Sequence, residues 1–112
     1  MDYSDEALSY VYEVVRTVEF VLASDRVFRL EVVHCVKGTA HAHYAVNYYE
    51  QKSLYKAQDG TISPRSTQMA TEFYVWVPDR NLPWVNQPSA EAALSQALAW
   101  LCERRNNRHS DW

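Results

Sequence analysis

The sequence predicts an α+β domain in which a three-stranded antiparallel sheet carries two helices on one face, in the order helix, strand, strand, strand, helix. Three observations predict it. Residues 26–51 alternate apolar and polar side chains on both sides of Gly38, with the two-residue period of half-buried strands. Residues 4–23 and 89–105 each gather their aliphatic side chains on one arc at helical spacing. With 47% hydrophobic residues in 112, one domain spanning 1–112 buries enough surface for a core without disulfides or metals.

A first helix is expected over 4–23. At 100° per residue Val21, Val14, Ala7, Val18, Val11, Leu22, Val15 and Leu8 share one arc, and every charge falls outside it. Ser4, followed by Asp5 and Glu6, supplies an N-cap with acids in the first turn. The same segment is rich in valine, threonine and aromatic residues, which favour strands. The alternative architecture is therefore a four-stranded antiparallel sheet plus a C-terminal helix, with this segment hairpinned onto the next through Ser24 and Asp25.

In the central hairpin Phe28, Leu30, Val32, His34 and Val36 form the inward face, as do Ala40, Ala42, Tyr44, Val46 and Tyr48 after the turn. A three-residue loop of Val36, Lys37 and Gly38, with Gly38 in the left-handed region, would pair Cys35 with Thr39 and merge the two even faces. Gln58-Asp59-Gly60-Thr61 marks a turn within a mobile loop at 57–68. A further strand is expected at 70–77 and ends at Pro78. An extended connection follows over 78–88, pinned by Trp84. Ser89 then caps a helix whose apolar face is Ala90, Ala93, Leu94, Ala97, Leu98, Trp100 and Leu101, and 106–112 is a frayed tail. With helices on the even face, the odd face of the hairpin is left uncovered.

Charge narrows the function. Residues 1–31 hold seven acids against three arginines, within a net charge of -3 for the whole chain, which argues against a polyanion as main partner. Two cysteines outside any Cys-x-x-Cys unit point to free thiols in a reducing, cytoplasmic setting, with a Cys35–Cys102 disulfide left open. No apolar run has the length of a membrane span and no leader is evident, so no membrane partner is expected. The chain holds no Gly-x-Ser-x-Gly elbow, phosphate-cradling glycine loop or His-Glu-x-x-His run, and neither an enzyme nor a bound cofactor is expected.

His41 and His43 share one strand face, and the expected register sets Glu31 opposite His43 with Cys35 nearby, a weak candidate for a metal or small-molecule site. The helix-strand-strand-strand-helix order is similar to the double-stranded-RNA-binding domain, and Gly38 with His41 three residues later resembles part of that family's first inter-strand loop. The resemblance implies RNA gripped by the first helix, that loop and the start of the last helix. This chain departs from it: the first helix would expose Asp5, Glu6, Glu13 and Glu19 against Arg16, and the last opens with Pro88, Ser89, Ala90 and Glu91. Nucleic-acid binding would instead draw on Arg26, Arg29, Lys37, Lys52, Lys56, Arg65, Arg104, Arg105 and Arg108, with Tyr49 or Trp76 stacking on bases.

The preferred expectation is a protein-binding module that occludes a surface of a larger partner, such as a nucleic-acid-binding protein. Small inhibitors, immunity proteins and anti-defence (anti-CRISPR-like) proteins of phage and mobile elements act in this way. Its contact residues would come from the open sheet face (Arg29, His41, His43, Asn47, Tyr49, Tyr74, Trp76) or from the acidic face of the first helix (Tyr12, Glu13, Arg16, Glu19, Phe20). A homodimer is the other way such a face becomes covered.

Overall fold

The computed structural model describes residues 3–38 and 43–105. The chain runs β1 (Val11–Val21), β2 (Val27–Lys37), β3 (Tyr44–Lys56), β4 (Ile62–Ser63), β5 (Thr71–Pro78) and α1 (Ala90–Arg105). The strands form one antiparallel sheet in the order β1-β2-β3, with both β4 and β5 paired to β3. The architecture is the four-stranded sheet with a C-terminal helix, extended by the two-residue β4.

The helix expected over 4–23 is instead strand β1, preceded by a turn. Asp5 organises that turn: its carboxylate accepts the Ala7 N–H at 2.8 Å and its carbonyl the Leu8 N–H at 3.0 Å. The helical periodicity has a specific origin. Val14 pairs with Val33 and Arg16 with Val32, so Val15 is an extra residue in a β-bulge. The bulge switches the phase of the alternation and leaves Val11, Val14, Val15 and Val18 at spacings of three and four, which imitate a helix. With no first helix, the order of the double-stranded-RNA-binding domain is absent. The hairpin turn through Ser24 and Asp25 does form: Leu22 N–H reaches Arg26 O at 2.8 Å, and Asp25 takes φ 67°, which aspartate tolerates.

β2 and β3 merge their even faces as expected, but in another register. His34 lies opposite Tyr44 and Phe28 opposite Glu50, and the Cys35 N–H donates to His43 O, not to Thr39. The shift is four residues, an even number, so every side chain keeps its face. The connection spans 38–43, with Thr39, Ala40, His41 and Ala42 outside the described residues. Gly38 adopts φ 119° with its Cα against the Tyr10 ring. The segment 57–68, expected as a loop, contains β4. A turn at 57–61 closes the β3–β4 hairpin through Ala57 N–H to Thr61 O at 2.8 Å.

α1 starts where its cap predicts. Ser89 Oγ accepts the Ala92 N–H at 3.1 Å, the N-cap to N3 bond, and Glu91 follows in the first turn. Ala93, Leu94, Ala97 and Leu101 are buried against Phe28, Leu30, Val32, Val46 and Tyr48 of the even face, and Ala90 and Leu98 pack at the margin. Trp100, expected on that face, is instead half-buried outside this cluster and carries the Arg104 guanidinium 4.7 Å above its ring. The alanines keep the helix close to the pleated surface. Leu82 and Val85 complete the core from the β5–α1 connection, and they pin it in place of Trp84, which is 69% exposed. The tail at 106–112 lies outside the described residues.

At one end of the core lies an ion cluster. Arg26 binds Glu50 through two bonds, Nε to Oε2 at 2.7 Å and Nη2 to Oε1 at 2.6 Å, and Lys52 Nζ joins Oε1 at 3.2 Å. The Arg26 and Glu50 side chains are each 9% exposed. The guanidinium also stands 5.4 Å from the centre of the Phe28 ring.

Candidate functional site: the open face of the sheet

Helix α1 covers only the even face of β2 and β3; the opposite face carries no helix, although Val33, Cys35 and Ala45 on it are buried. Pairing and alternation assign its occupants. β1 contributes Tyr12, Val14, Thr17 and Glu19; β2 contributes Arg29, Glu31, Val33 and Cys35. β3 adds Ala45, Asn47, Tyr49, Gln51 and Ser53, and β5 adds Glu72, Tyr74 and Trp76. The overall shape agrees with a two-layer slab: extents of 52 × 35 × 19 Å and a radius of gyration of 17.4 Å, against about 13 Å for a compact chain of this length.

The face is held by its own polar contacts. Glu19 Oε1 accepts two bonds from Arg29, at 2.7 and 3.1 Å, and the same guanidinium lies 4.2 Å from the Trp76 ring centre. One arginine on β2 thus links β1 to β5. Each contact is partly solvated and contributes up to about 1 kcal/mol, so the gain is mainly positional. Tyr55 donates to Glu72 Oε2 at 3.0 Å, and Tyr74 shares that carboxylate. Hydrogen bonds from Tyr74 and then Tyr55 hold the Glu72 carboxyl below its usual range and raise both phenols. Burial first, then the Glu31 hydrogen bond, pushes the Tyr49 phenol up, while burial followed by Cys35 does so for Tyr12. These shifts drive each group deeper into its neutral-pH state, phenols protonated and carboxylate ionised. They poise the face for hydrogen bonding.

Two adjoining clefts open here. One, of about 220 Å³, has a floor of Val33 and Ala45, both under 10% exposed, beneath Tyr12, Asn47 and Trp84. The other, of about 490 Å³, lies between β3 at 46–49 and the connection at 78–84, and it shares Asn47 and Trp84 with the first. The fourth strand creates the second cleft by interruption. β5 pairs with β3 as far as Pro78 opposite Tyr49, and Asp79 N–H reaches Tyr48 O at 2.8 Å. The chain then leaves the β3 backbone, held by the Tyr48 hydroxyl, which donates to Pro83 O at 3.5 Å, and pairs with β3 again where Gln87 and Tyr44 exchange bonds of 2.8 and 3.0 Å.

The structure brings Tyr12, Glu19, Arg29, Asn47, Tyr49, Tyr74 and Trp76 onto one face. It sends Glu13, Arg16 and Phe20 to the other, because they lie opposite His34, Val32 and Phe28. The two surfaces expected separately are therefore merged in part and divided in part. His43 is exposed at the start of β3, whereas His41 lies outside the described residues. Glu31 faces Asn47, not His43, so the register no longer assembles the expected metal set, and no cluster of three or more metal-ligating side chains occurs among the described residues. Both cysteines are free, Cys35 buried and Cys102 exposed. Of the cations proposed for nucleic acid, Arg26 and Lys52 bind Glu50, Arg29 binds Glu19, and Lys37 donates to the Asp5 carbonyl. Among the described residues no helix is long and apolar enough to cross a membrane.

Trp84 is the site residue that sequence reasoning missed. Its neighbours carried the only available signal: Leu82 and Val85 suffice to anchor the connection, which frees the ring between them to face outward. Comparison with protein-family models, curated proteins and solved structures finds no match, and the site is read from its own geometry.

Proposed function

We propose that this protein is a non-enzymatic binding module that occupies a surface of a larger protein through the open face of its sheet. The observation that carries the reading is a broad face without a covering helix, on which aromatic side chains stand among organised acids. Tyr74 is 60% exposed and Trp84 69%. Four strands of about 11 residues present about 700 Å², close to the ~800 Å² that one partner contributes to a standard interface. Aromatic anchors within a polar rim are what such interfaces use.

Charge selects the partner. Glu19, Glu31 and Glu72 stand against Arg29 on this face, so a basic protein surface, such as the nucleic-acid groove of a larger protein, is complementary. A second copy of the chain would set acids against acids. Occlusion of that groove is inhibition by competition, the mode of small inhibitor, immunity and anti-defence proteins. Four of the cations that would serve direct nucleic-acid binding, Arg26, Arg29, Lys37 and Lys52, are engaged within the fold, which favours a protein partner.

The test is affinity capture from host lysate with nuclease present, comparing the wild type with Trp76→Glu and Tyr74→Glu. A stoichiometric protein retained by the wild type and lost from both variants supports the reading. Loss of every partner on nuclease treatment, or equal retention by the variants, refutes it.

A further inference from the structure

Resting on the binding-module reading and deepening it, we propose that the clefts flanking Trp84 seat a short proline-rich segment of the partner in polyproline II conformation, with basic residues on either side. The chemistry of the lining points to this ligand. The floor is apolar and shallow because Val33 and Ala45 are small, and Tyr12 and Trp84 rise beside it, 47% and 69% exposed. Rings in this arrangement offer flat apolar faces to a pyrrolidine ring. The polar groups shared by the two clefts are the Asn47 amide, which has two N–H donors beside its carbonyl, and the Trp84 indole, a donor only, while Asp79 and Arg80 of the larger cleft offset each other in charge. Both shared groups can donate to a carbonyl. A polyproline II segment is the complementary backbone, since its carbonyls are free and its prolines carry no N–H.

Spacing agrees. The smaller cleft lies over β2 and β3, and the larger lies beyond β3 toward the 78–84 connection. Their centres are one to two strand spacings apart, about 5–10 Å. One turn of polyproline II is about 9 Å, so successive turns fall on opposite sides of the Trp84 ring. Such a segment is already ordered in solution, which limits the entropy lost on binding. The surplus of acids over Arg29 on the face favours lysine or arginine at its flanks and disfavours a second copy.

The test uses the full chain and a peptide of about ten residues alternating proline and leucine, with an arginine at each end, titrated by tryptophan fluorescence and calorimetry. Saturable binding is expected, weakened about tenfold or more by Trp84→Ala and by Tyr12→Ala. Ile62→Ala, exposed on β4 and away from the clefts, changes it by less than about twofold. A peptide with glutamates in place of the arginines binds about tenfold more weakly at low salt. Circular dichroism on each variant establishes that the fold is kept. No saturation at about 1 mM peptide, or unchanged affinity in Trp84→Ala, overturns the proposal, as does a concentration-dependent dimer that Trp84→Ala dissolves. If the peptide fails while capture of a protein partner still depends on Trp76 and Tyr74, the proline-rich ligand is wrong and the binding-module reading stands. If both fail, both fall.

Discussion

Replacing Glu50 with glutamine keeps the shape of the side chain and removes its charge, leaving two cations at the edge of the core. Arg26 Nη2 and Lys52 Nζ share Glu50 Oε1 at 2.6 and 3.2 Å, so the two cations lie at most about 6 Å apart. At an effective dielectric constant near 20, their repulsion at that distance is about 3 kcal/mol. The lost attraction to Arg26 at about 4 Å is of similar size, about 4 kcal/mol. Hydration and relaxation return part of both, and breaking one side of a buried pair costs about 3–5 kcal/mol in practice. For 112 residues the whole folding free energy is about 6–17 kcal/mol, so Glu50→Gln should lower Tm by more than about 10 °C. Urea and thermal unfolding followed by circular dichroism measure it. The triple variant Arg26→Met, Glu50→Leu and Lys52→Met should recover most of the loss, because replacing every member of the cluster by apolar groups is close to neutral. A Glu50→Gln protein within about 1 kcal/mol of wild type would show that the cluster is solvated and that this reasoning is wrong.

Adjacent positions in the β5–α1 connection should behave oppositely. Val85, fully buried, should cost about 2–3 kcal/mol on Val85→Ala, whereas Trp84→Ala should stay within about 0.5–1 kcal/mol in the same unfolding assay. Burial first, then the charge of Asp79, raises the Tyr48 phenol from 10.0 to about 12. Below pH 10 the phenol is protonated in both states and its contribution is intact. Between about pH 10 and 12 the unfolded chain ionises first, so stability should fall by up to about 3 kcal/mol, and Tyr48→Phe should remove that slope from urea midpoints measured across the range. Gly38→Ala should destabilise by about 1–3 kcal/mol, since φ 119° strains any Cβ and that atom would meet the Tyr10 ring; rescue by Tyr10→Ala would apportion the loss between ring contact and backbone.

Local patterns carried much of this fold. A strand's face assignment depends only on its own parity, and the even face of β2 and β3 is the one buried under α1. The Ser89 cap and the Ser24–Asp25 turn are likewise decided within a few residues, by a side-chain oxygen in the first case and a tolerated positive φ in the second. The candidate site was partly legible for the same reason: Arg29, Asn47, Tyr49, Tyr74 and Trp76 lie on the face that parity assigns, opposite the helix.

Pairing partners, by contrast, were not local. Tyr12 and Glu19 join that face, and Glu13, Arg16 and Phe20 leave it, only because Val15 bulges out of β1 against β2. The four-residue offset between β2 and β3 changes no face, so the pattern of polar and apolar residues is blind to it. It nonetheless decides that Glu31 meets Asn47 in place of His43. Arg26 and Glu50 are 24 positions apart and meet only once that register is set. The chain by itself determined which way most side chains of the central hairpin point and where its last helix begins, because these follow from a few covalent neighbours. Tertiary structure alone decided that residues 11–21 form a strand and that Trp84 faces the clefts, because both depend on contacts summed across elements distant in sequence.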